Sequence, residues 1–121
     1  MHGLHLTADL RGCDATLSVM TDTAALRALC VSAVIGAGLA PVGELFHRFG
    51  EGGEGVTGVV LLAESHLAVH TWPELGAVTL DVYVCNFGAD NSARAEALLA
   101  ALEAAFAPSH VERHRLQRGS E

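Results

Sequence analysis

Eleven consecutive residues, Glu64-Ser65-His66-Leu67-Ala68-Val69-His70-Thr71-Trp72-Pro73-Glu74, hold a serine, two histidines, a tryptophan and two carboxylates. Three chemistries could use that set. A serine beside a histidine suggests a nucleophilic hydrolase, but Gly-x-Ser-x-Gly is absent and no separate histidine and aspartate order can be assigned. His66 and His70 have the HxxxH spacing of a helical zinc site. Val69, Thr71, Trp72 and Pro73 instead favour an extended strand. Four steps at ~3.3 Å would hold the two imidazoles ~13 Å apart, too far for an ion that keeps its nitrogens at about 2.0 Å. The third chemistry is internal. The Ser65 hydroxyl attacks the carbonyl of Glu64, converting a peptide bond into an ester at which the chain can part.

With Asp81-Val82-Tyr83-Val84-Cys85 following, the stretch resembles the self-cleaving segment of the prokaryotic S-adenosylmethionine decarboxylase proenzymes. Asp9-Leu10-Arg11-Gly12-Cys13-Asp14 is similar to the family's first strand and turn. Phe46-His47-Arg48-Phe49 with Gly55-Val56-Thr57-Gly58 is similar to the segment leading into the cleavage site. The resemblance runs from His5 to Gly119 and implies a single pyruvoyl-dependent decarboxylase domain over residues 1–121, cut between Glu64 and Ser65. Ser65 becomes the pyruvoyl group, the ketone on which a substrate amine condenses as a Schiff base. His70 removes the proton in the elimination step, a task suited to an imidazole that can be neutral near neutral pH. Thr57 stands where the family has a processing serine, and Cys85 is the proton donor in turnover. No pyridoxal phosphate and no metal are expected, because the electron sink is made from the chain. The resemblance also implies a homodimer of processed protomers with active sites near the interface.

For substrate, the resemblance assigns Glu74 to the ribose hydroxyls and Phe49 and Trp72 to the adenine or sulfonium, leading to a decarboxylated aminopropyl donor for polyamine synthesis. The chain departs from the family pattern in several places. Leu75 and Ala77 replace frequent tyrosines, and Val84 and Asn86 flank Cys85 in place of threonine and glycine. The segment Gly50-Glu51-Gly52-Gly53-Glu54-Gly55 is longer and doubly acidic. It spells GxGxxG, yet a strand rather than a helix follows and glutamates repel phosphate. Some relatives decarboxylate arginine or ornithine, and Glu51 or Glu54 could pair with such a cationic side chain. A reading of another class is an uncleaved, non-catalytic or metal-binding homologue.

The rest of the chain must position these groups. Its 121 residues can bury one core without staples. Hydrophobic residues make up 50%, but with four Phe, one Tyr and one Trp the core must be mostly Ala, Val and Leu. The formal charge of -7 argues against a nucleic-acid partner and suits a cationic small-molecule substrate. Cys13, Cys30 and Cys85 are widely spaced, with no CxxC pair and no signal-peptide pattern, which fits a reducing cytoplasm. The apolar run from Ala24 to Ala40 carries Arg27 and is too short for a membrane span.

Alternation predicts strands at Leu4–Leu10, Val42–Phe49, Val56–Ala63, Leu67–Trp72 and Val78–Cys85, with an edge strand at Val111–Leu116. Helical spacing joins Leu26, Leu29, Cys30, Ala33, Val34 and Ala37 after a cap at Thr21 or Asp22. It also joins Ala95, Leu98, Leu99, Leu102 and Phe106 after Asp90, Asn91 or Ser92. That order predicts an α+β two-layer sandwich, an antiparallel-rich sheet with two helices on one face. Asp81, Tyr83 and Cys85 then point to the other face, which is left for something else.

Overall fold

The computed structural model describes residues 1–50 and 54–120. The elements run β1 (His2–Arg11), α1 (Thr23–Gly36), β2 (Pro41–Arg48), β3 (Val56–Leu62), β4 (Ser65–Trp72), β5 (Ala77–Cys85), α2 (Ser92–Phe106) and β6 (His110–Gly119). Short 3-10 turns occupy Ser18–Met20 and Pro73–Leu75. The strands form one sheet in the order β2-β3-β4-β5-β1-β6, and every neighbouring pair is antiparallel. The fold is the expected α+β sandwich. Several strand boundaries shift by one or two residues, and one of these shifts touches the cluster: β4 begins at Ser65 rather than Leu67, because Leu62 pairs with Ser65 and draws the serine into the ladder. β6 is longer than its apolar residues suggest, since it is held by backbone pairing to β1 from His110 to Gly119.

Alternation sends Leu4, Leu6, Ala8 and Leu10 of β1 to the same side as their register partners Val84, Val82, Leu80 and Val78 of β5. Leu67 and Val69 of β4 and Val56, Val60 and Leu62 of β3 continue that layer, all buried. Against it pack Leu26, Cys30 and Val34 of α1 and Leu98, Leu99, Leu102 and Phe106 of α2. At ~25 cal/mol per Å² of apolar surface removed from water, this layer is the main stabilising term. Asp22 caps α1 by accepting from Ala24 N at 2.9 Å. Burial pushes the Cys30 thiol up to about 12, as suits an inert core cysteine. No helix among the described residues is long and apolar enough to cross a membrane.

One polar side chain breaks the apolar layer where it bears on the site. Thr71, almost fully buried, accepts from Val56 N at 2.9 Å and donates to Met20 O at 2.8 Å, joining β3, β4 and the turn before α1. Gly55 is required beside it, because a Cβ there would lie 2.3 Å from Thr71 O. Thr57 and His70 are the residues next to this tie. Thr71→Val would leave a buried N–H and C=O unpaired and is expected to lower the unfolding free energy by about 1–3 kcal/mol per group. Urea denaturation checks this; an unchanged midpoint would contradict the bridging role.

Candidate active site

The β3–β4 hairpin is closed by the two residues Ala63 and Glu64, since Leu62 pairs with Ser65. Glu64 takes the left-handed backbone conformation at φ 56, which costs a non-glycine residue about 1–2 kcal/mol. The strained residue is the one whose carbonyl precedes Ser65. The Ser65 hydroxyl oxygen accepts from the Cys85 amide at 3.0 Å, which orients it while leaving its own proton free. Cys85, at the end of β5, is buried. The loop after it is braced: Asn86 N donates to His2 O at 2.7 Å, and Asn91 Nδ2 donates to Cys85 O at 3.0 Å. Met1, Glu64, Cys85 and Phe87 line a cavity of about 350 Å³. On the open sheet face nearby, the His66 ring stacks on Tyr83 at 5.8 Å, and His5 Nε2 meets Asp81 Oδ1 at 3.0 Å.

The other predicted residues gather at the opposite end of the same strands. Thr57 faces His70 in register, with Thr57 Oγ1 and His70 Nδ1 hydrogen-bonded at 3.0 Å. Trp72 stacks on the His70 ring at 5.8 Å. Glu74 lies in the turn Pro73–Leu75 and shares a cavity of about 300 Å³ with Glu54, Ala15, Thr21 and Pro73. Arg48 is 3.8 Å from Glu54, so that carboxylate already has a cation beside it. Phe49 is held by its N–H to Gly55 O at 2.9 Å and packs edge-on against His47. Glu51 lies outside the described residues.

The expected site is therefore split. Ser65, Glu64 and Cys85 meet at one end, while Thr57, His70, Trp72, Glu74, Phe49 and Glu54 collect at the other. Five steps along β4 separate Ser65 from His70 by ~16 Å. Alternation also turns Ser65 to the helix side and His70 to the open face. His66 and His70 share the open face on a strand, and among the described residues no three potential ligands converge on a metal. His47 and Phe87 were not singled out from the sequence. Alternation along β2 could have found His47, which is paired with Thr57, whereas Phe87 sits in a loop with no periodic signal.

A family model for S-adenosylmethionine decarboxylase matches residues 4–119. The chain belongs to that family. An S-adenosylmethionine decarboxylase proenzyme of Picrophilus torridus is 34% identical over 119 residues, covering 98% of this chain and 85% of the relative. One from Pelotomaculum thermopropionicum is 41% identical over 83 residues, 69% of this chain, and the matched stretch spans only 63% of that relative. A crystal structure of the adenosylmethionine decarboxylase from Aquifex aeolicus superposes with a TM-score of 0.87 at 34% identity, covering 98% of this chain and 92% of that one. Both the sheet and its two helices are thus a family scaffold.

The Thr57–His70 contact is open to a direct test. Thr57→Val keeps the shape but removes the hydroxyl, and should change the tautomer balance of His70 in nitrogen-15 NMR; Thr57→Ser should restore it. Identical imidazole shifts in all three proteins would show that the contact does not orient the ring.

Proposed function

We propose that the chain is a self-processing, pyruvoyl-dependent decarboxylase of S-adenosylmethionine that works as a homodimer. The observation that carries this reading is the Ser65 hydroxyl, held on the Cys85 amide at 3.0 Å directly after a left-handed Glu64. In processing, Ser65 Oγ bonds to the Glu64 carbonyl carbon as the peptide C–N bond breaks, giving an ester. Removal of the residue 65 α-proton by an imidazole then breaks the Cβ–Oγ bond. Glu64 leaves as a carboxylate that keeps that oxygen. Water replaces the nitrogen of residue 65, ammonia departs, and a ketone remains at the new terminus.

Position 65 suits such a group. The sequence contains no lysine, so no side-chain amine of its own competes for a ketone there. When formed, the pyruvoyl group takes the substrate amine and accepts the electron pair released with CO₂. The Cys85 thiol returns a proton to the substrate carbon. The family names of the relatives support the adenosyl substrate, with an aminopropyl donor as product. Glu74 would accept the ribose hydroxyls, and Trp72 and Phe49 offer aromatic faces.

The ~16 Å between Ser65 and His70 along β4 keeps them apart within one chain, which supports the dimer. A second copy laid on the open face about a two-fold axis near Ala68 and Asp81 would set each Ser65 end against the Thr57–His70 end of its partner. The half-buried His5, His66, His70 and Tyr83 would then lie between two sheets. A second substrate reading, arginine or ornithine, is favoured by one observation: Glu54 and Glu74 line one cavity.

Wild-type protein is expected to separate into residues 1–64 and 65–121, and Ser65→Ala to stay one chain; an intact wild-type mass after long incubation at neutral pH would sink the mechanism. His70→Ala should stall as a hydroxylamine-sensitive ester. Co-expressed Ser65→Ala and His70→Ala chains should restore cleavage of the His70→Ala chain, because one site of the mixed dimer has both residues. No cleavage in the mixture, or a stable active monomer by light scattering, would place His70 and Ser65 in one chain.

Substrate choice is read by CO₂ release from S-adenosylmethionine, arginine and ornithine. Glu74→Gln should raise KM for S-adenosylmethionine about tenfold, as expected for a lost charged hydrogen bond. Turnover of arginine or ornithine alone, with KM raised by Glu54→Gln, would establish the second reading instead.

A further inference from the structure

We infer that Asn91, held in place by Asn86, is a positioning residue that keeps the Cys85 thiol aimed at the substrate carbon once processing has removed the Ser65 hydroxyl. The inference rests on the proposed decarboxylase reading and adds two residues and a role to it. The ladder between β4 and β5 ends at the pair His66 and Tyr83. Beyond it the two backbone groups of Cys85 are taken by side chains: its N–H donates to Ser65 Oγ at 3.0 Å, and its C=O accepts from Asn91 Nδ2 at 3.0 Å. Cys85 is buried, where backbone groups need partners. The two holds have different fates. In processing the Ser65 oxygen leaves with Glu64, so the Cys85 N–H loses its acceptor just as the thiol acquires its task. Asn91 is the side chain that still holds the Cys85 peptide.

Asn91 is itself fixed. Its N–H donates to Asn86 Oδ1 at 2.8 Å, and its own Oδ1 accepts from Arg94 Nη1 at 2.8 Å. Asn86 Nδ2 donates to Ser92 Oγ at 3.2 Å, and Asn86 N donates to His2 O at 2.7 Å. Both ends of each side-chain amide are thus engaged. They close the base of the loop over residues 87–90 and tie Cys85 to β1 and to the start of α2. Asn86 is one of the chain's departures from the family pattern, and a glycine there would offer Asn91 N no side-chain acceptor.

The hold matters because the proton has two destinations. The electron pair released with CO₂ is shared between the substrate carbon and the residue 65 carbon, which one nitrogen separates. A proton on the substrate carbon, followed by water, releases the decarboxylated amine and restores the ketone. A proton on the residue 65 carbon, followed by water, releases the substrate skeleton as an aldehyde and leaves the nitrogen behind. Residue 65 is then alanine, and turnover ends. The thiol gives one proton in either case and regains one from solvent. A displacement of about 1 Å is enough to alter such a choice.

The test first reads the hold without the ketone. In Ser65→Ala, which lacks the hydroxyl, adding Asn91→Ala should speed amide exchange at Asn86 about tenfold. Adding Asp90→Ala instead removes the acceptor of Ser92 N and loosens the start of α2, and should leave that exchange unchanged. The same changes in the self-cleaving chain read the role. Processed Asn91→Ala, turning over S-adenosylmethionine, should convert residue 65 to alanine about three- to tenfold more often per CO₂ released than wild type. N-terminal sequencing counts the conversion, because alanine carries the amine that the ketone lacks. Asn86→Ala should follow Asn91→Ala, and Asn86→Asp, which keeps the acceptor for Asn91 N, should restore the wild-type fraction. An unchanged alanine fraction in Asn91→Ala, or an equal rise in Asp90→Ala, would make Asn91 a structural contact and overturn the proposal, even where CO₂ release falls. Unchanged Asn86 exchange in the double variant would overturn the hold by itself, with the function left intact. Wild-type protein that never processes would overturn the functional reading and this role with it.

Discussion

The rigidity of β4 governs everything else at the site. Its backbone is laddered on one side to β3, from Ser65 to His70, and on the other to β5, from His66 to Trp72. A strand paired on both edges cannot shorten or bend without losing hydrogen bonds whose groups lie in the middle of a sheet. Its ~3.3 Å rise per residue therefore acts as a fixed ruler between the serine at one end and the histidine at the other. A helix would have wound the two into proximity. The strand holds them apart, and makes a chemistry that needs both depend on a second surface.

The sheet is built for such a surface on one side only. Its inner face is a dry layer of Val, Leu and Ala against two helices. The outer face is neither dry nor fully wet. His5 is paired to Asp81, and Tyr83 lies between stacked His66 and the edge-on ring of His5. Gly3 makes room for this arrangement, since a Cβ there would lie 2.4 Å from the Tyr83 hydroxyl. Charged and aromatic groups that satisfy one another across strands tolerate burial far better than isolated ones. A polar face of this kind can approach another sheet without leaving a charge unpaired.

At the Ser65 end, local geometry and chemistry coincide. The hairpin needs a left-handed residue in its two-residue turn, and the chain supplies Glu64 where glycine or asparagine is usual. The neighbouring ladder outweighs that strain, because Leu62 and Ser65 stay paired. The bond between Glu64 and Ser65 thus joins a strained residue to one held in a regular strand, with the hydroxyl already fixed by Cys85 N–H. Strain of about 1–3 kcal/mol at a reacting residue is a modest but usable fraction of a barrier.

What the sequence determined by itself was local and periodic. Val78, Leu80, Val82 and Val84 alternate strictly, and Leu98, Leu99, Leu102 and Phe106 recur at helical spacing. The two-layer fold and the identity of its buried face therefore followed from side-chain direction alone. The cluster from Glu64 to Glu74 was equally legible, because unusual residue types concentrate there. Ser65 was harder to place: only its pairing with Leu62 draws it into β4. Tertiary structure decided what spacing along the chain cannot express. It brought Cys85 to Ser65 across twenty residues, paired Thr57 with His70, and carried Phe87 to the cavity at Glu64. It also separated Ser65 from His70, which are only five residues apart in sequence. The reason is that closeness along an extended strand means distance in space, whereas register between strands makes neighbours of residues far apart in the chain.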